Sequence, residues 1–211
     1  QTCALPICSG KLKQALSKAD FEIQQGVAGI PTAFIASYGE GEPVIAILAE
    51  FDALPGISQA ATPVRQTITG KHNGHACGHH LFGAGSVSAA VALRHWMAAN
   101  DIQGTIRLYG TPAEEGGSGK VYMVRAGLFD DVDTVLHGHP SDRNTANAET
   151  TLANKSARFK FTGQASHAAA APERGRSALD GVEAMNYMMN LMREHVPQET
   201  RIHYVIRSEE H

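Results

Sequence analysis

The run "PVIAILAE", Pro43 to Glu50, constrains the fold more than any other stretch of the 211 residues. Its apolar residues follow one another without polar alternation, after a Gly-rich turn. A strand of that kind must be buried on both faces, as in a parallel sheet covered by helices on either side. It runs into "FDALPG", and the carboxyl end of such a strand is where open α/β sheets place their sites. Asp52 is therefore well placed for chemistry, although "DALPG" would also suit a turn that Asp52 merely caps.

The elements that follow agree with a mostly parallel α/β sheet. "LFGAGSVSAAVALRHWMAA", Leu81 to Ala99, reads as a helix whose small residues allow close packing, and "TIRLYG", Thr105 to Gly110, as a strand. "TPAEEGGSGKVYMVRAG" reads as a loop entering a short helix, and "DTVLHGHP", Asp133 to Pro140, as a strand ending in two histidines. Strands alternating with helices in this way imply parallel pairing. Near Ala153 the pattern changes. "ARFKFTG" alternates as a strand with one wet face, "SALDGVEAMNYMMNLMREH" sets Leu179, Val182, Met185, Met189 and Met192 on one helical stripe, and "RIHYVIR" alternates again. Ser177 and Asp180 resemble a capping box at the start of that helix. The chain accordingly divides into 1–152 and the opening of an α+β unit over 153–211.

Composition excludes several classes. With 43% hydrophobic residues, the chain can bury a real core. Its formal net charge of -3 and the lack of a Lys/Arg run argue against a nucleic-acid or anionic-membrane surface. No apolar run approaches the roughly 18 to 20 residues of a membrane helix, which makes a cytoplasmic location the expectation. Cys3 and Cys8 could pair, but they sit in "QTCALPIC", which reads as a cloning or assembly remnant.

"HNGHACGHH", His72 to His80, holds four of the eleven histidines and one of the three cysteines. A catalytic metal, a structural metal or chance can each account for it. The tandem carboxylates of "TPAEEGG" favour the first, because a hydrolytic metal site needs one group to hold the ion and another to take a proton from water. Asp52, the Cys77/His79 loop, Glu114/Glu115 and His139 all lie at or just beyond predicted strand ends. A structural zinc module closed by Cys and His would have no use for the glutamate pair.

The motifs "AEFDALPG", "NGHACGHHLFGAG", "GTPAEEGGSGK", "HGHP" and "GQASHAAAAPERGRSALDGVEAMN" stand in the order of a known family. From about Gly26 onward the chain resembles the co-catalytic two-metal amidohydrolases and peptidases that include aminoacylase, carboxypeptidase G and the plant auxin-conjugate hydrolases. Within that family it looks most like the p-aminobenzoyl-glutamate hydrolase branch. The resemblance implies a zinc-peptidase-like catalytic domain, incomplete here, followed by the start of a ferredoxin-like lid or dimerisation domain. It implies two divalent metal ions, zinc or manganese, with Cys77 as a bridging thiolate and His79, Glu115 and His139 as further ligands. Glu114 would be the general base, Asp52 would orient a ligand, and His167 would reach from the lid into a partner subunit's site to hold substrate or its oxyanion. The implied activity is metal-dependent cleavage of the amide between an acyl or aminoacyl group and an amino acid, on a p-aminobenzoyl-glutamate-like or dipeptide-like substrate, and the implied assembly is a homodimer or hetero-oligomer through the lid.

His72 and His75 read as loop structure, and His137 as a strand residue pointing away from the site. Two departures from the family pattern stand out. His80 occupies the place where many relatives carry Asp or Asn, as an altered support or a competing nitrogen. The family's last metal ligand, a histidine after the lid, has no counterpart, and His211 is outside that motif's context. By itself the 211-residue chain is expected to bind metal poorly and hydrolyse little. A catalytically inactive binding or assembly subunit of the same fold is the alternative.

Overall fold

A computed structural model describes residues 4–146, 148 and 150–207. Cys3 and His211 fall outside the described residues. The chain forms two compact units, Gln1–Asn144 and Thr145–His211.

The first unit contains, in chain order, α1 (Ala4–Ser17), β1 (Glu22–Gln25), β2 (Phe34–Glu40), β3 (Val44–Glu50), β4 (Leu54–Pro55), β5 (Asn73–Gly74) and α2 (His79–Asn100). After these come β6 (Gly104–Thr111), α3 (Glu114–Gly117), α4 (Gly119–Arg125) and β7 (Thr134–Leu136). Five strands form a mixed sheet in the order β1-β2-β6-β3-β7. β3 runs parallel to both β6 and β7, whereas β2 is antiparallel to β6 and to β1. The parallel half is the half that matters for chemistry, because its three carboxyl ends lie along one edge of the sheet. β4 and β5 make a separate two-stranded ladder.

The continuous apolar run of β3 is explained by burial on both faces. Ile47 and Ala49 pack with Leu16 of α1 and with Val87, Ala90 and Met97 of α2. Ala46 and Leu48 pack on the opposite face with Tyr109 and with Met123 of α4. The small residues of α2 permit a close approach: a Cβ on Gly83 would lie 2.8 Å from the Glu50 carbonyl oxygen. That contact brings the first turn of α2 to the end of β3. Leu108, fully buried in β6, sits in the core. Leu108→Ala should lower the unfolding free energy by about 2–5 kcal/mol through the cavity it leaves, measured by urea denaturation.

The observed elements depart from the sequence expectations in instructive places. α2 begins at His79, so His79 and His80 belong to a helical first turn and not to the loop. The last parallel strand is shorter than 133–140, because only Thr134–Leu136 finds partners, opposite Ile45–Ile47. In the second unit, α5 (Ala178–Met192) forms with Ser177 as its cap, the Oγ accepting from Asp180 N at 3.1 Å. Of its expected stripe, Val182, Met185 and Met189 are half-buried, while Leu179 and Met192 are exposed. Residues 157–163 and 201–207, expected as strands, carry no ladder among the described residues; the pairing present is the single Gln164–Arg176 bridge. Alternation marks which side is apolar, but a strand exists only through hydrogen bonds to a neighbour. Phe161 instead rests on Gly181 of α5. Among the described residues, no helix is long and apolar enough to cross a membrane.

Candidate metal centre

The carboxyl end of β3 delivers two buried carboxylates, Glu50 and Asp52, which are 2% and 4% exposed. Asp52 organises what surrounds it. Its Oδ1 lies 2.8 Å from His79 Nδ1, and its Oδ2 accepts the Glu115 backbone N–H at 2.9 Å. Because a carboxylate accepts, His79 Nδ1 carries the proton and Nε2 presents a lone pair. That Nε2 is buried and has no hydrogen-bond partner. It faces Glu50 Oε2 at 3.1 Å and Glu114 Oε2 and Glu115 Oε1 at 3.9 Å each.

His139, two residues beyond the first histidine after β7, repeats this arrangement. Its Nδ1 donates to the Pro140 carbonyl at 2.9 Å, which leaves Nε2 as an acceptor 3.4 Å from Cys77 Sγ. Donor atoms of Cys77, His79 and His139 lie within 4.8 Å of one another, and so do those of Glu50, His79 and Glu114. Phe82, one turn along α2 from His79, packs edge-on against the rings of His137 and His139. Left-handed backbone at Gly78 (φ 87) turns the chain between Cys77 and the helix. The glutamate pair follows β6, whose Thr111 is in register with Glu50. It is preceded by Ala113 at φ 61, a conformation unfavourable for a residue with a Cβ.

The donor set suits divalent ions. Four carboxylates and a thiol crowd two imidazole lone pairs, with Lys120 as the one ammonium paired to them among the described residues. Burial and the carboxylates of Glu115, Glu114 and Glu50 push the Cys77 thiol up to about 11. A cation among these groups reverses that cost, and mixed N, O and S donors fit zinc-like ions. In chelated full-length protein, alkylation of Cys77 should therefore keep rising with pH towards about 11, because only the thiolate reacts. Zinc should slow it at every pH. A plateau near pH 9 would show that burial and the carboxylates do not raise the thiol, and equal labelling with and without metal by mass spectrometry would count against Cys77 as a donor.

The structure thus brings Asp52, Cys77, His79, Glu114, Glu115 and His139 to one sheet edge. His167 belongs to the second unit, where it is exposed, and its Nδ1 accepts from the Ala169 and Ala170 N–H groups at 3.2 Å each. His80 is exposed and its ring faces His75, with centroids 4.8 Å apart. Burial, with His80 opposite, holds His75 below the usual imidazole value. One reading needs correction: His137 does not point away, since its Nε2 lies 3.5 Å from Glu50 Oε1. Sequence reasoning also passed over Glu50 and Lys120, which pair with each other. The signal was available. A carboxylate closing an apolar strand and a lysine opening a helix are each unfavourable alone.

Comparison with known proteins bears on the same residues. The sequence matches the family described as Peptidase family M20/M25/M40 over residues 46–206. It is 48% identical over 196 residues to one of the subunits of the p-aminobenzoyl-glutamate hydrolase of Escherichia coli (strain K12), covering 92% of this chain and 41% of that protein. It is 33% identical over 189 residues to the Xaa-Arg dipeptidase of Mus musculus, covering 85% of this chain and 40% of that one. The chain therefore spans about two-fifths of the length of these relatives. Among solved structures it is similar to a Bacillus subtilis protein described as a dinuclear metal binding peptidase, with TM-score 0.51 and 31% identity over 60% of this chain and 34% of the other. The matched span starts inside β3 and runs past the glutamate pair, His139 and α5, so the sheet edge and the sequence lead to one conclusion: this chain belongs to peptidase family M20/M25/M40.

Proposed function

We propose that the full-length protein is a metal-dependent amidohydrolase or peptidase that cleaves the amide between an acyl or aminoacyl group and an amino acid, with p-aminobenzoyl-glutamate-like or dipeptide-like substrates. The observation that carries this reading is the buried His79, held through Nδ1 by Asp52 with a free Nε2 aimed among Glu50, Glu114 and Glu115. Cys77, His79, Glu115 and His139 would hold two divalent ions, zinc or manganese. Such ions supply Lewis-acid activation of water and of the scissile carbonyl.

The chain's own groups divide the remaining work. Asp52 fixes the tautomer and orientation of His79 and anchors the Glu115 backbone, the support that ligands of this kind need. Glu114, whose side chain is 46% exposed, is the freer of the two glutamates and can reach a substrate. It takes the proton from the attacking water and delivers it to the departing amine nitrogen. His167 has the right tautomer for its role: with Nδ1 accepting two backbone N–H groups, Nε2 carries the proton and can donate to a substrate oxyanion or carboxylate. Residues 153–211 are read as the beginning of a lid through which a homodimer or hetero-oligomer forms; a relative named as a subunit supports an assembly.

The test is hydrolysis by chelated full-length protein reloaded with zinc or manganese, followed by amine release from p-aminobenzoyl-glutamate, N-acyl amino acids and dipeptides. Metal-dependent turnover of at least one class is expected. Metal-loaded protein that hydrolyses none of them would leave the binding or assembly subunit as the reading.

A further inference from the structure

Glu50 and Lys120 are given no part in that reaction, yet they sit inside the centre. Glu50 is the last residue of β3 and is 2% exposed. Its Oε1 accepts from Lys120 Nζ and lies 3.5 Å from His137 Nε2. Its Oε2 lies 3.1 Å from His79 Nε2. Since Asp52 keeps the proton on Nδ1, this contact sets a carboxylate oxygen against an imidazole lone pair, and the His79 atom is buried without a hydrogen-bond partner. Two acceptors at that separation repel unless a proton or a metal cation lies between them. Two donors bound to one zinc-like ion at about 2.1 Å each, in octahedral or tetrahedral arrangement, stand roughly 3.0–3.4 Å apart. The observed spacing falls in that range.

We propose that Glu50 is a further carboxylate donor to the metal centre, binding through Oε2, with Lys120 as its positioning residue. The inference rests on the metal-centre reading above and extends its donor set. A carboxylate that binds a metal through one oxygen is commonly hydrogen-bonded at the other, and Lys120 does this at Oε1. Lys120 opens α4, where an ammonium opposes the helix dipole, so its placement makes sense only against an anion such as Glu50. Glu114 Oε2 lies on the same side, within 4.8 Å of the Glu50 and His79 donor atoms.

The experiment is zinc and cobalt(II) titration of chelated full-length protein, reading stoichiometry, affinity and the cobalt absorption spectrum, with circular dichroism as the check on folding. Glu50→Gln should lose one tightly bound ion or weaken it by at least about 10-fold, with an altered cobalt spectrum. Glu50→Asp keeps the charge opposite Lys120 but shortens the reach, and should shift metal binding in the same direction. Lys120→Met should weaken binding less, and Lys120→Arg should restore it. Wild-type affinity, stoichiometry and cobalt spectrum in Glu50→Gln would overturn the proposal; if that variant does not fold, the same result in Glu50→Asp decides against it. Wild-type protein that binds neither zinc nor cobalt would instead remove the metal-centre reading, and this inference with it.

Discussion

Glu114→Gln in the full-length protein is expected to cut turnover by about 100-fold or more while both metal ions remain bound, the loss typical of a missing general base. The neighbouring Glu115→Gln should do the reverse in kind, lowering metal occupancy, because a neutral amide oxygen is a poorer donor to a divalent ion than a carboxylate. The environments differ although the side chains do not. Glu114 is 46% exposed, while Glu115 is 17% exposed and has its backbone N–H tied to Asp52. Metal analysis beside steady-state kinetics on both variants checks the assignment. Metal loss in Glu114→Gln with full occupancy in Glu115→Gln would exchange the roles.

Asp52→Ala is expected to weaken metal binding by about 10- to 100-fold, the range for lost outer support of a ligand. Two donors lose their acceptor at once, the buried His79 Nδ1–H and the partly buried Glu115 backbone N–H. Each unsatisfied group adds a stability cost of about 1–3 kcal/mol. Without Asp52 the imidazole can also adopt the other tautomer, which places a proton on Nε2 where a lone pair is needed. Competition titration with a chelating dye and urea denaturation measure the two effects separately. Unchanged metal affinity in Asp52→Ala would show that His79 is oriented by other means.

Legibility in the sequence followed the kind of physics involved. β3 could be read almost to the residue because burial on both faces leaves an unbroken apolar run, and β6 because Ile106, Leu108 and Tyr109 mark a short strand between glycines. The cap of α5 was readable for a different reason: Ser177 and Asp180 meet within one turn, independently of anything distant. The two alternating segments of the second unit were misread because alternation specifies a face but cannot supply the neighbouring strand that makes a ladder. His137 was misread because its orientation beyond the short β7 is set by Phe82 and Glu50, which are remote in sequence.

From the sequence alone came the α/β class of the first unit, the family, and a shortlist of Asp52, Cys77, His79, Glu114, Glu115, His139 and His167. Each depends on local composition and short spacings, which a chain carries whether or not it is folded. Tertiary structure decided that the first six share one edge and that Asp52 grips both His79 and Glu115. It also decided that Glu50 and Lys120 lie among them. Those facts depend on β3, β6 and β7 ending side by side and on α2 pressing against β3 at Gly83. Contacts between residues such as Glu50 and Lys120, 70 positions apart, arise only when the sheet brings its strand ends together, and no local pattern encodes them.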